Sequence, residues 1–224
     1  MHAEQKINIE AMTLDEFDAY TDAVEHADLE FTLTSLDYPR WSIHKLDLGG
    51  SVHFQKGYQW NGTIAQWVTC EDGYVVYLMR SSTKGKVNGI PFSPGSVFFI
   101  PPGTEFFITV DVPHEWLSVF IPAGMLPESG PDRGWPGFSR RHACLFEDMT
   151  GAAIDLWFLI ERYLACDGVE AESTRVQASI ENFKAMLAGN LTQLLEGLRR
   201  PIALKKGRQP TVDWRLMSSL VAMI

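Results

Sequence analysis

The chain has 224 residues, of which 46% are hydrophobic, and its 19 basic and 28 acidic residues give a net charge of −9. This size and composition are typical of one globular domain with a helical extension, and the acidic balance argues against a chain that itself neutralises nucleic-acid phosphates. No apolar run reaches the roughly 20 residues of a membrane span, and the three cysteines are widely spaced. We therefore expect a cytoplasmic protein with reduced thiols and no membrane partner.

The first predicted element is a helix from Met12 to His26. Thr13 and Glu16 have the spacing of a capping box, and Phe17 and Val24 belong to an apolar face of helical period. The sequence therefore predicts that the chain opens on an amphipathic helix.

Between residues 29 and 122 the hydrophobic period changes to two, which indicates β-strands. Turn dipeptides such as Asp72-Gly73 and Asn88-Gly89 separate the apolar runs, and tight hairpins favour these dipeptides. Eight strands are predicted: Glu30–Leu36, Trp41–Leu48, Ser51–Gln55, Thr63–Thr69, Tyr74–Met79, Gly95–Ile100, Glu105–Val110 and Glu115–Ile121. Short strands at such regular intervals predict an antiparallel barrel or jelly roll.

The region after the strands is predicted to be helical. Residues 122–141 are rich in Pro and Gly and form a loop or crossing segment, followed by helices over Ala152–Cys166 and Ser173–Arg199. Apolar residues recur every three or four positions in the second helix, and this stripe can cover the chain's own core, a second subunit, or both at different points. The candidate dimer-interface residues are Ile180, Phe183, Leu187, Leu191 and Leu194.

The last 24 residues differ in character from the rest. Residues 199–208 hold five of the 19 basic residues together with Pro201 and Gly207, which predicts a solvated linker. A further helix is predicted to begin after Pro210. Its apolar pattern continues to Ile224, so we expect more protein to follow. We divide the chain into residues 1–122 (first helix and barrel), 123–200 (crossing segment and helical dimerisation region) and 201–224 (linker and helix start).

Metal-binding barrels of the cupin type use a His-x-His pair, a Glu and a further His, a ligand set that binds iron, manganese or zinc. In this chain His44, His53 and His114 stand alone, and Thr104, Glu105 and Phe106 occupy the place of the last His. Nucleophile elbows and phosphate-binding loops are also missing. The sequence therefore predicts no metal, no cofactor and no catalytic residue.

Aromatic residues are the remaining feature of the strands. A barrel lined by aromatic rings with a few polar groups can hold a small ligand, although such rings can equally fill the core. Trp60, Trp67 and Tyr77 offer polar atoms on otherwise apolar bodies, and His53 and His114 offer imidazoles. These five residues are the candidate ligand-binding residues.

The order of these elements resembles the N-terminal effector-binding and dimerisation region of AraC/XylS-type transcriptional regulators. The resemblance spans nearly the whole chain and is carried by Leu46–Gly50, Phe92–Ser96, Phe99–Glu105 and the helix start at Trp214–Ile224. It implies an α+β fold, a cupin-like antiparallel barrel (jelly roll) followed by a helical dimerisation region. It also implies a homodimer, a small-molecule effector in the barrel, and promoter DNA bound by a C-terminal helix-turn-helix domain absent from this chain.

Three hypotheses follow for the function. The first is a non-enzymatic regulatory module that binds a small effector in a metal-free barrel. The second is a cupin-type metal-dependent enzyme, an isomerase or oxygenase, for which the ligands are missing. The third is a dimerisation domain whose barrel is filled by its own side chains.

Overall fold

The computed structural model describes residues 8–34, 40–47, 52–59, 63–80, 85–92, 95–123, 143–147, 151–164 and 174–197. Residues 124–141 of the loop predicted over 122–141, the basic linker and the final helix start lie outside these ranges, as does Trp60. The division of the chain at residues 122 and 200 stays a prediction.

Among the described residues, seven antiparallel strands form the larger sheet, with labels that follow chain order. From one edge to the other they are β1 (Asn8–Leu14), β3 (Trp41–Asp47), β4 (His53–Gln59), β11 (His114–Pro122), β6 (Gly73–Met79), β9 (Ser96–Ile100) and β12 (Cys144–Glu147). The smaller sheet has five strands, β2 (Ala27–Leu33), β5 (Thr63–Thr69), β10 (Glu105–Val110), β7 (Gly85–Val87) and β8 (Ile90–Phe92). All eight predicted strands are present, and the sequence missed β1, β7, β8 and β12.

Three helices complete the described structure: α1 (Phe17–Ala23), α2 (Ala152–Leu164) and α3 (Thr174–Gly197). The predictions for α2 and α3 are confirmed to within two residues at each end. The predicted α+β class, an antiparallel barrel followed by helices, is confirmed.

The prediction of one helix from Met12 to His26 is wrong in its first part. Residues 8–14 instead form β1, which pairs with β3 in a register that places Asn8 opposite Asp47. Glu16 is the N-cap of α1 and makes no capping hydrogen bond through its side chain. Pairing along a whole strand outweighs a weak helical pattern, because each residue of β1 gains a partner on β3.

The turn between β7 and β8 shows why hairpin dipeptides are informative. Asn88 has φ 48° and Gly89 has φ 80°, both in the left-handed region that a two-residue hairpin turn requires. The Asn88 side chain also accepts a hydrogen bond from the Phe107 N–H at 2.8 Å. The predicted turn is therefore confirmed, although the three-residue strands around it were not foreseen.

The larger sheet is buried on both faces, so the molecule has three layers. Along β6, Val75, Tyr77 and Met79 join the core between the sheets, whereas Val76 and Leu78 join the core beneath α2 and α3. This follows from the period of two in a strand, which sends neighbouring side chains to opposite faces. We call the space between the sheets the barrel interior.

Gly57 on β4 permits a close approach between two strands. A Cβ at this position would overlap the indole of Trp116, which lies opposite it on β11. We expect Gly57→Ala to lower the free energy of unfolding by about 1–3 kcal/mol, because the fully buried ring has no room to retreat. Urea unfolding monitored by circular dichroism measures this change, and Ala65→Gly, at an interior position of β5, is a control for altered strand propensity. An unchanged stability would show that Trp116 moves freely.

Candidate functional site at one end of the barrel

The middle of the barrel interior is filled by aromatic rings. Trp67 packs edge-on against Tyr77 with ring centroids 4.9 Å apart and against Phe106 at 5.6 Å, and Tyr77 stacks with Trp116 at 5.9 Å. None of these four side chains is more than 3% exposed. The described residues therefore leave no drug-sized space at the centre of the barrel, where a small ligand was expected.

A buried polar network closes one end of the interior, which we call the Gln59 end. The Tyr20 hydroxyl, carried by α1, accepts hydrogen bonds from Gln59 Nε2 and Trp116 Nε1, both at 2.9 Å. Thr63 completes the network by donating to Gln59 Oε1 at 3.0 Å. Burial raises the pKa of Tyr20, so its hydroxyl stays protonated. The helix thus seals this end with satisfied polar groups.

His114 lies at the Gln59 end and has a structural role. His114 on β11 lies opposite Gln59 on β4 in the strand register, and the imidazole Nδ1 donates a hydrogen bond to the Val112 carbonyl at 3.0 Å. Burial lowers the pKa of His114 to about 4, so the imidazole is neutral at physiological pH. It is separated from His53 by six residues of register along β4, or roughly 20 Å at about 3.4 Å per residue. The two histidines predicted to share a ligand therefore lie at opposite ends of the barrel.

Polar groups converge at the other end, which we call the His53 end. A cavity of about 10 Å³ opens there, which is roughly the space of one water molecule or one ion. It is lined by Glu25, His26, Ala27, His53, Gln55, Trp67, Val75, Ser118 and Phe120. The candidate functional site is this cavity.

The segment between α1 and β2 brings Glu25 and His26 to the cavity. The Glu25 N–H donates to Gln55 Oε1 at 3.2 Å, and Gln55 Nε2 donates back to the Glu25 carboxylate at 3.3 Å. The His26 carbonyl accepts from the Cys70 N–H at 3.1 Å. The backbone is thereby fixed at residue 25 to β4 and at residue 26 to the residue that follows β5.

His26 is held in a strained conformation with its ring oriented by packing. Its φ of 64° is left-handed, which costs a non-glycine residue about 1–2 kcal/mol. The ring stacks on Phe120 with centroids 3.9 Å apart and planes within 7°, and its centroid lies 5.0 Å from that of His53. Within the described part of the chain, the buried Nε2 of His26 has no hydrogen-bond partner. Such strain and an unsatisfied buried nitrogen are typical of functional sites.

The charges around His26 have mixed signs. Burial and the neighbouring His53 lower the pKa of His26, whereas Glu25 and Asp72 act in the opposite direction and Lys45 lowers it further. Lys45 Nζ also donates to Glu25 Oε1 at 2.6 Å. The imidazole of His26 is therefore neutral at physiological pH, and two carboxylates and one ammonium group surround it.

The structure separates the five candidate ligand-binding residues. His53 and Trp67 line the cavity, and the indole N–H of Trp67 has no partner among the described residues. Tyr77 lies in the aromatic core, and burial raises the pKa of its hydroxyl well above the ordinary range. His114 is at the Gln59 end, and Trp60 is outside the described residues. His26, which was not among the candidates, lies beside His53 in space.

Three residues that line the cavity were not predicted from the sequence: Glu25, His26 and Gln55. His26 was assigned to the end of a helix, and 27 positions separate it from His53, so no short motif joins them. Only the pairing of β2 with β5 and of β4 with β11 brings the two imidazoles together. The sequence signal that was available is the adjacent Glu-His pair just after an amphipathic helix.

The candidate dimer-interface residues pack within the chain. Phe183, Leu187, Leu191 and Leu194 are between 1% and 9% exposed and join Leu156 of α2 in the core beneath the larger sheet. The side chain of Ile180 lies outside the described residues. Intrachain packing, the alternative stated for this stripe, therefore accounts for the four described positions, and the dimer itself stays a prediction.

No helix in the described part of the chain is long and apolar enough to cross a membrane.

Comparison with known proteins gives a structural relative that spans the whole architecture. No protein-family model and no curated protein sequence matches the chain. A solved structure, that of the AraC-like transcriptional activator CuxR, superposes with a TM-score of 0.55 and 11% sequence identity over 90% of this chain and 74% of that chain. This chain has the fold of an AraC-like transcriptional activator.

Cupin barrels also occur among the similar structures. An RmlC-like cupin from Shewanella frigidimarina matches 38% of this chain and 78% of its own, with 17% identity and a TM-score of 0.31. A Cupin 2 conserved barrel protein from Salinispora arenicola matches 44% of this chain and 79% of its own, with 15% identity and a TM-score of 0.28.

Proposed function

We propose that this chain is the sensing and dimerisation part of a cytoplasmic DNA-binding transcription regulator of the AraC type, and that it is not an enzyme. The observation that supports this is the shared fold with an AraC-like activator over 90% of the chain, barrel and helices together. The net charge of −9 is unfavourable for contact with phosphates. In this proposal promoter DNA is bound by a C-terminal domain of a longer protein.

The effector site in this proposal is the cavity at the His53 end. The centre of the barrel is filled, whereas polar groups converge at this cavity. Its polar lining consists of Glu25, His26 and Gln55 beside His53. An effector that contacts His26 and His53 would tie the segment after α1 to β4.

Strand β4 gives this site a physical route to the helices. His53 and Gln55 face the interior, whereas Phe54 packs in the core beneath α2 and α3. Lys56, also on that outer face, donates to Glu161 of α2 at 2.7 Å and lies 5.5 Å from the ring of Trp157. A shift of β4 on effector binding would therefore change how α2 is held, and coupling of this kind needs two arrangements that the effector distinguishes.

The homodimer in this proposal uses the outer faces of the helices. Ile154 and Phe158 of α2 are 50% and 59% exposed, and Met186 of α3 is 53% exposed. Ile154 and Phe158 are four residues apart and therefore share one face of α2. These apolar side chains, and not the buried stripe of α3, are the surface that a second subunit would cover.

The experiment is an electrophoretic mobility-shift assay with the protein encoded by the complete gene and the DNA upstream of that gene. We expect specific retardation at a Kd on the order of 10⁻⁸ M or tighter at physiological salt. Residues 1–224 alone serve as the control and should leave the DNA unshifted. Absence of retardation by the complete protein, or retardation by residues 1–224 alone, would contradict the proposal that a separate C-terminal domain binds the DNA.

A dimerisation domain without an effector is the second candidate, and the aromatic filling of the barrel favours it. Intrinsic fluorescence of the seven tryptophans separates the two candidates, since Trp67 lines the cavity. A saturable change on titration with a small-molecule library, abolished by His53→Gln, supports the sensing role. A spectrum that no compound changes supports the filled-barrel candidate.

A further inference from the structure

We infer that Glu25, His26 and His53 form a binding site for a divalent first-row transition-metal ion. One ligand atom from each residue lies within 4.8 Å of the other two. This inference goes beyond the proposed function and holds whether or not the chain regulates transcription.

The spacing of the three groups is close to that of a metal site. Bonds of about 2.0–2.1 Å in a tetrahedral site hold ligand atoms roughly 3.4 Å apart. The observed upper limit of 4.8 Å thus requires a contraction of at most about 1.4 Å. Rotation of the exposed Glu25 carboxylate can shorten its distances to the two imidazoles, while the backbone of residues 25 and 26 stays fixed to Gln55 and Cys70.

The His26 imidazole offers a ligand atom. Metals commonly bind an imidazole nitrogen, and the buried Nε2 of His26 has no hydrogen-bond partner among the described residues. Stacking on Phe120 holds the His26 ring in one orientation. Because a lone pair that is buried and unsatisfied costs free energy, a bound cation would remove a penalty already present.

The local charge favours a cation. Glu25 and Asp72 both act on His26 as negative charges, against the single positive charge of Lys45. Lys45 Nζ contacts Glu25 Oε1 at 2.6 Å and lies 4.0 Å from Glu10 Oε2. Each carboxylate oxygen has two lone pairs, so Glu25 can keep this ion pair and still ligate a metal.

The donor set identifies the class of metal. Two imidazoles and one carboxylate suit Zn²⁺, Fe²⁺, Co²⁺, Ni²⁺ or Cu²⁺, whereas Mg²⁺ and Ca²⁺ require oxygen ligands. The cavity of about 10 Å³ has room for one ion as it stands, whereas an organic effector would need it to widen. Three protein ligands leave a position for water, and Gln55 and Ser118 line the cavity as hydrogen-bonding groups.

This site differs from the ligand set of metal-binding cupin barrels. That set requires a His-x-His pair on one strand, whereas here Glu25 and His26 come from the segment before β2 and His53 comes from β4. The expectation of a metal-free barrel rested on the missing pair, whereas two of the three ligands proposed here lie outside the strands.

Isothermal titration with Zn²⁺ tests the site, using untagged, chelator-treated protein that contains these 224 residues. We expect about one Zn²⁺ per chain, with no heat of binding for Mg²⁺. His26→Asn and His53→Gln should each weaken Zn²⁺ binding roughly tenfold or more. Asn is chosen at position 26 because it tolerates the left-handed conformation.

His44→Ala is the matched control, because it removes an imidazole from the neighbouring β3 outside the cluster, and it should leave the affinity unchanged. The absorption spectrum of the Co²⁺ complex gives a second measurement, since its bands should lose intensity in His26→Asn even if that variant is less stable. A stoichiometry far below one, or equal affinity in the wild type, His26→Asn and His53→Gln, would overturn the inference.

Discussion

Replacing Trp116 with alanine is expected to lower the free energy of unfolding by about 3–5 kcal/mol, which is the usual cost of removing a fully buried large aromatic side chain. Trp116 is 0% exposed and sits between Gly57 and Tyr77 at the centre of the barrel interior. The cavity left by the substitution would be lined by rigid rings and could collapse only partly.

The hydrogen-bond network at the Gln59 end adds to this cost. Trp116 Nε1 donates to the Tyr20 hydroxyl at 2.9 Å, and that hydroxyl is the link between α1 and the larger sheet. Removing one partner of a buried hydrogen bond leaves the other unsatisfied, at a cost of about 1–3 kcal/mol. We therefore expect α1 to be less protected from amide hydrogen exchange in Trp116→Ala than in the wild type.

Urea unfolding followed by far-ultraviolet circular dichroism measures the global change, and hydrogen exchange measures the local one. Val112→Ala is the control, because Val112 is 44% exposed and its truncation opens no internal cavity. A loss of less than about 1 kcal/mol for Trp116→Ala would show that the barrel interior relaxes around the gap and that its aromatic packing is loose.

Strands and hairpin turns were predictable from the sequence because their signals are local. Alternation of apolar and polar residues located β5 and β10 to the residue, and Asn88-Gly89 identified a turn that requires two positive φ angles. The prediction for the first element was wrong because strand formation depends on pairing with residues that are distant in the chain. Whether residues 8–14 form a helix or a strand is decided by the free edge of β3, which is 27 or more positions away in the chain.

The candidate site was less predictable, because it depends on which residues meet across the two sheets. His53 was selected from its chemistry and lines the cavity, but its neighbour His26 reaches it only through the left-handed backbone between α1 and β2. Composition also could not decide whether Trp67 and Tyr77 contact a bound ligand or pack against each other. The volume at the centre of a barrel depends on how rings interleave, and no periodicity encodes that arrangement.

The second large effect is expected at Leu187 in α3. Leu187 is 2% exposed and packs with Leu156 and Trp157 of α2 in the core beneath the larger sheet. Leu187→Ala should lower the free energy of unfolding by about 2–5 kcal/mol, because it leaves a cavity between two helices and a sheet. Thermal and urea unfolding of the purified variant measure the loss.

Met186→Ala is the matched control on the same helix, because Met186 is 53% exposed. Its effect on stability should lie within about 0.5 kcal/mol of zero. Sedimentation equilibrium then measures self-association of the two variants. If the homodimer uses the outer faces of the helices, Met186→Ala weakens self-association. Leu187→Ala, studied below its unfolding transition, leaves it unchanged. The reverse pattern would show that the apolar stripe of α3 leaves the intrachain core to pair with a second subunit, because a side chain cannot fill both places at once.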